Sequence, residues 1–140
     1  MQKFPPLSLY VHIPWCVQKC PYCDFNSHAQ KGTIPEQEYV QHLIADFEVD
    51  LEKYQASIQN RPLHSIFIGG GTPSLFSAES IKLLLAEIQR RIPFSENIEI
   101  TMEANPGTVE AERFKGYVDA GVTRISMGIQ SFNDDKLQRL

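Results

Sequence analysis

The feature that most constrains this chain is an alternation: a short β-rich run followed by a helix-period stripe, four times over, with no fixed repeat length. Leu7-Ser8-Leu9-Tyr10-Val11-His12-Ile13, bounded by prolines on both sides, reads as the first strand. After a polar loop through Gly32, Pro35 suits a first helical turn, and Tyr39, Val40, Leu43, Ile44, Phe47, Leu51 and Tyr54 recur at helical spacing over about 35–57. His42, Asp46, Glu48, Asp50 and Glu52 fall mostly on the wet side of that helix. The unbroken run Ser65-Ile66-Phe67-Ile68 suits a strand covered on both faces, and it ends in three glycines. Ser77 offers an N-cap to a helix striped by Ile81, Leu84, Leu85, Ile88 and Ile92. Residues 98–103 alternate as a third strand, and a helix over about 109–120 stops at Gly121. A fourth strand covers 124–129, and Asn133 opens a last helix. Alternation at these lengths predicts βαβ crossovers, hence an α/β fold with a parallel sheet. Four units do not close an eight-stranded barrel, so the chain is expected to be the N-terminal part of a longer one.

A length of 140 residues suits one core, and 42% hydrophobic with 21% charged residues is too apolar for a disordered chain. Thirteen basic residues against seventeen acidic ones leave a formal charge of −4 and no dense basic stripe, which argues against nucleic acid as a partner. No apolar run reaches the roughly 18–20 residues that span a bilayer, and no secretory signal is legible, so a cytoplasmic protein is expected. Cys16, Cys20 and Cys23 lie too close together for a disulfide framework and fit a reducing compartment and a metal site.

In a parallel α/β sheet, ligands gather beyond the carboxyl ends of the strands. All four strand ends here carry unusual residues: the cysteines, Gly69-Gly70-Gly71-Thr72-Pro73, Glu103-Ala104-Asn105-Pro106, and Gly128-Ile129-Gln130-Ser131. The cysteine spacing is C-x3-C-x2-C, with Pro14 and Pro21 stiffening the loop. Thiolates select zinc, copper(I) or an iron–sulfur cluster. His12 or His28 would complete a Cys3His zinc site, whereas three cysteines alone leave a position open for a ligand.

Cys16-x3-Cys20-x-Tyr22-Cys23 resembles the signature of the radical S-adenosylmethionine (SAM) superfamily. Tyr10-Val11-His12-Ile13-Pro14-Trp15-Cys16 narrows the resemblance to the branch holding oxygen-independent coproporphyrinogen III oxidases and the HemW-type haem chaperones. Gly69 to Ser74, Glu103 to Thr108 and Arg124 to Phe132 are similar to later motifs of that branch. The oxidases carry a further cysteine two residues past the third, where this chain has Phe25; Asp24-Phe25-Asn26-Ser27-His28 is similar to the chaperone pattern. The resemblance implies a partial TIM-like (β/α) radical SAM barrel, with residues 1–140 as the N-terminal portion of its core domain. The remaining barrel units and a C-terminal domain would lie outside the chain. It also implies a [4Fe–4S] cluster on Cys16, Cys20 and Cys23, and SAM bound at the open iron. Haem would bind outside these residues and pass to acceptor proteins. An electron donor is implied, and a homodimer is admitted. The alternative within the branch is radical decarboxylation of porphyrinogen propionates, disfavoured by Phe25.

Individual roles follow from that resemblance. Tyr10 matches the family's SAM-contacting tyrosine, against the plainer reading of a barrel-filling ring. Tyr22 would set its ring against the adenine, or serve as a core aromatic. Gly69, Gly70 and Gly71 let the backbone approach a ligand, and a β-branched side chain at Gly70 is expected to block SAM while leaving the cluster. Thr72 would add a hydroxyl. Glu103 follows an apolar stretch and wants a ligand hydroxyl or ammonium, in competition with a salt bridge to Arg124. Gln130 ends the fourth strand with donor and acceptor capacity, in a ligand contact or a structural amide network. His12 is expected to support the site rather than ligate, and Asp24 and His28 to be solvated.

Overall fold

A computed structural model of the chain describes residues 4–106 and 111–139, with backbone alone at Ala111 and Glu112. In chain order the elements are β1 (Leu7–Ile13), β2 (Trp15–Cys16), β3 (His28–Ala29), α1 (Glu36–Lys53), α2 (Gln55–Ile58) and β4 (Leu63–Gly70). A single 3-10 turn (Pro73–Leu75) follows, then α3 (Ala78–Arg91), β5 (Phe94–Ala104), α4 (Ala111–Ala120), β6 (Arg124–Met127) and α5 (Asp134–Leu137). The expected helix start at Val109, with Gly107 and Thr108, lies outside the described residues.

β1, β4, β5 and β6 form one parallel sheet in that order, each neighbour reached by a helical crossover. The register puts Val11, Ile68 and Met102 on one face, and Tyr10, Phe67, Thr101 and Arg124 on the other. The first face is buried together with Val40 and Ile44 of α1, Ile81, Leu84, Leu85 and Ile88 of α3, and Tyr117 of α4. Each fully buried aliphatic side chain there contributes roughly 1.5–3 kcal/mol relative to exposure. The second face is polar and open: Tyr10 is 57% exposed and Phe67 38%. The expectation that the 65–68 strand is covered on both faces is therefore corrected. Its isoleucines are buried, whereas Phe67 looks into the concave side of a curved sheet.

Local chemistry sets the boundaries. The Ser77 hydroxyl accepts the Ser80 N–H at 3.2 Å and caps α3, while Glu36 of α1 accepts from the Ser77 N–H and hydroxyl at 3.0 and 2.6 Å. At the end of α4, Gly121 has φ +113°, the Val122 N–H returns to the Tyr117 carbonyl and the Gly121 N–H to that of Val118, closing a Schellman motif. The long first helix breaks at Tyr54, just past Leu51, where the apolar stripe has run out and Tyr54 lies exposed. β6 ends at Met127 rather than 129, because its partner β5 runs out at Ala104. Among the described residues no helix is long and apolar enough to cross a membrane.

Candidate functional site

The carboxyl ends of β1, β4, β5 and β6 converge on a cavity of about 420 Å³, within the size range of small-molecule sites. Its first wall is the cysteine loop. β2 and β3 pair in parallel, with the His28 N–H donating to the Pro14 carbonyl at 2.8 Å and the Gln30 N–H to that of Cys16 at 2.7 Å, so the loop is tied at its neck. A turn brings the Cys23 N–H to the Cys20 carbonyl at 3.1 Å. Cys16, Cys20 and Cys23 are free, half-buried and all line the cavity. Among the described residues no three His, Cys, Asp or Glu side chains converge as they would around one metal ion. Three free thiolates on one cavity wall are a soft donor set of the kind that holds an iron–sulfur cluster and leaves a position open.

Gly70, Gly71 and Thr72 make the second wall. Gly70 has φ +119°, and a Cβ there would sit 2.7 Å from the His12 ring and 2.9 Å from the Ile13 carbonyl oxygen. At Gly71 a Cβ would lie 2.5 Å from the Trp15 carbonyl oxygen. The Gly71 and Thr72 N–H groups donate to the Ile13 and Trp15 carbonyls at 2.8 and 2.7 Å, joining this wall to the chain that enters the cysteine loop. Glu103 supplies the third wall. Its Oε2 accepts the Gly70 N–H at 3.2 Å, whereas Arg124 pairs with Glu99 at 3.2 Å. The competing salt bridge from Arg124 thus goes to another carboxylate, and Glu103 lines the cavity. Gln130 also lines it, three residues past the end of β6 rather than at it, and in a left-handed backbone with φ +65°. A non-glycine residue in that region is uncommon and clusters at functional sites.

Tyr22 lines the cavity and is 53% exposed, which excludes the core-aromatic reading. A hydrogen bond with the Cys20 side chain, then burial and the nearby cysteine charges, hold its hydroxyl above the usual tyrosine range. Tyr10 and Gly69 are not on the cavity wall: Gly69 is buried under Phe67 and Glu103, and Tyr10 stacks on Phe67. Burial, then the Glu103 carboxylate, push the Tyr10 hydroxyl up. Tyr10 reaches the site through His12, whose Nδ1 lies 2.8 Å from the Tyr10 hydroxyl and whose Nε2 lies 2.7 Å from the Asn26 carbonyl oxygen. A carbonyl only accepts, so in the neutral ring Nε2 carries the proton and Nδ1 accepts from Tyr10. His12 therefore bridges the first strand to the cysteine loop. His28 and Asp24 are exposed; His28 contacts the Asn26 side chain at 3.2 Å and faces a separate depression with Lys19 and Lys31. Sequence reasoning missed Ser126, Val17 and Phe25 as wall residues. Ser126 was findable, since it alternates with Ile125 and pairs with Glu103 on the concave face.

This fold and this cavity define a class: the chain belongs to the Radical SAM superfamily, whose family profile matches residues 10–140. Within it, the chain is 76% identical over its whole length to a heme chaperone HemW of Haemophilus influenzae and 60% identical to that of Escherichia coli. It spans 37% and 36% of those relatives, just over a third of their length. Among solved structures, the coproporphyrinogen III oxidase HemN of Escherichia coli, a radical SAM enzyme, matches with a TM-score of 0.70 at 28% identity, over 96% of this chain and 31% of that one. The architecture is the N-terminal part of a radical SAM TIM-like barrel. The family implies a [4Fe–4S] cluster and SAM.

Proposed function

We propose that this chain is the cluster- and SAM-binding part of a cytoplasmic haem chaperone of the HemW type. Cys16, Cys20 and Cys23 would hold the [4Fe–4S] cluster, which supplies an open iron for SAM and a one-electron couple. Gly70, Gly71 and Thr72 would receive the polar end of SAM, Tyr22 its flat base, and Glu103 and Gln130 its hydroxyl and ammonium donors, with Gly69 and Tyr10 supporting from behind. The observation that carries the reading is the convergence of three free cysteines and a glycine-built backbone wall on one cavity. Haem would bind elsewhere in the whole protein, be passed to acceptor proteins, and leave the porphyrin propionates untouched.

An oxidase reading is favoured by the fold shared with HemN, and weakened by two observations. Identity to the HemW relatives is 76% and 60% against 28% to HemN. Phe25, at the position where the resemblance places an oxidase cysteine, puts an apolar ring on the cavity wall, 68% exposed.

The test uses the full-length protein reconstituted anaerobically with iron and sulfide. A brown chromophore lost in Cys20→Ser, SAM binding, and stable haem binding with transfer to an acceptor are the expected results. Conversion of coproporphyrinogen to protoporphyrinogen would overturn the chaperone assignment in favour of the oxidase. A colourless protein that takes up zinc through the same cysteines would overturn both.

A further inference from the structure

The glycine wall is gripped from two sides, and one grip is remote from the cavity. On the cavity side, Glu103 Oε2 accepts the Gly70 N–H. Past Thr72 the chain enters the 3-10 turn Pro73–Leu75, with Pro73 and Ser74 buried and Phe76 fully enclosed. There the Tyr117 hydroxyl of α4 lies 2.9 and 2.7 Å from the Ser74 and Phe76 carbonyl oxygens, which share its one proton, and Arg113 Nη1 donates to the Ser74 carbonyl at 3.0 Å. Tyr117 is 1% exposed and is not among the residues lining the cavity. Phenylalanine would fill nearly the same volume; a buried hydroxyl there is favourable only because it meets these two acceptors. One βα unit, β5 with α4, therefore holds the glycine segment at both ends: Glu103 at Gly70, Tyr117 beyond Thr72.

We infer that Tyr117 is a positioning residue for the ligand: by holding the Ser74 and Phe76 carbonyls it fixes Thr72 and Pro73, and through them the Gly70–Gly71 backbone, in the form that receives SAM. The inference rests on the proposed SAM reading. A wall ordered before binding spares the ligand the loss of loop freedom, so its loosening appears as weaker affinity.

The test is Tyr117→Phe in the full-length, cluster-loaded protein, with Ile88→Val in the α3 core as a control that also removes buried stability. Tyr117→Phe is expected to keep the wild-type iron content and to bind SAM roughly threefold to tenfold more weakly. In the cluster-free protein the Gly71 and Thr72 amides, bonded to Ile13 and Trp15, should exchange with deuterium faster than in wild type. Ile88→Val should lower the melting temperature with SAM affinity unchanged. Arg113→Met, an exposed change that removes the guanidinium donor to the Ser74 carbonyl, should move SAM affinity in the same direction by less and covers the case in which Tyr117→Phe does not fold. Wild-type SAM affinity in Tyr117→Phe, or an equal loss in Ile88→Val, would overturn the inference. If wild type itself binds no SAM, the proposed function fails, and amide exchange alone then judges Tyr117: unchanged protection in Tyr117→Phe sinks it.

Discussion

At Gly70 and Gly71 two neighbouring glycines are required for different reasons. Gly70 occupies a left-handed conformation, and its absent side chain would point at the His12 ring rather than into the cavity. A β-branched residue there would strain the backbone and push on β1, so Gly70→Val is not the clean ligand-blocking change that the sequence suggests. Gly71 is not left-handed, yet its Cβ would press on the Pro14 and Trp15 backbone at 2.5–2.8 Å. That backbone leads directly into Cys16 and is pinned in turn by the Trp15–Tyr39 edge contact at 4.7 Å between ring centroids. Gly71→Ala therefore must displace the entry to the cysteine loop, at a cost of about 1–3 kcal/mol from overpacking. Iron and sulfide assays after reconstitution should show Gly71→Ala with less cluster per chain than wild type. Full cluster content would show that residues 14–15 move without consequence for the cysteines.

Among the described helix starts, that of α3 is the most fully specified. Ser77 caps it, and Glu36 receives the Ser77 N–H and hydroxyl from across the fold. Ser77→Ala removes the cap and one of the two donors to a partly buried carboxylate, so it should lower unfolding free energy by about 1–2 kcal/mol. Asn133→Ala, which uncaps the exposed four-residue α5, should fall below that. Urea midpoints compare the two, and equal losses would contradict the role given to Glu36. The Ser77 cap and the Gly121 stop were legible in sequence because each is a local rule acting on adjacent residues. Glu36 was not, since its partner lies 41 residues away and nothing in the helix pattern marks it. The β2–β3 pair escaped for another reason: two-residue strands carry no periodicity, so the clasp at the neck of the cysteine loop exists only as the backbone bonds from His28 and Gln30. The cysteine triad and glycine run were visible from spacing and adjacency along the chain. The left-handed turn at Gln130 was not, because a glutamine gives no hint of positive φ.

Across the whole molecule, strand register sorts the concave face into layers. Ser8, Ser65 and Glu99 form the layer farthest from the cavity; Tyr10, Phe67, Thr101 and Arg124 come next; His12, Gly69 and Ser126, with Glu103, come last, beside the cavity. The Ser65 hydroxyl donates to that of Ser8 at 2.8 Å, and Glu99 takes both Arg124 and the Thr101 hydroxyl, so the two outer layers satisfy one another. Glu103 is the carboxylate on the cavity wall, and accepting the Gly70 N–H uses a single lone pair of its Oε2. This separation makes the two acids distinguishable. The Glu99–Arg124 pair is more than half exposed on both sides, so Arg124→Ala should cost less than about 1 kcal/mol in stability and leave SAM affinity where it was. Glu103→Gln retains an oxygen for Gly70 but loses the charge. A charge-assisted hydrogen bond contributes about 1.5–3 kcal/mol, so SAM should bind roughly tenfold or more weakly while the cluster absorbance persists. Equilibrium SAM titrations of the two variants decide the matter: a loss in Arg124→Ala as large as that in Glu103→Gln would mean that the layers act as one charged network, and that Glu103 has no distinct place at the ligand.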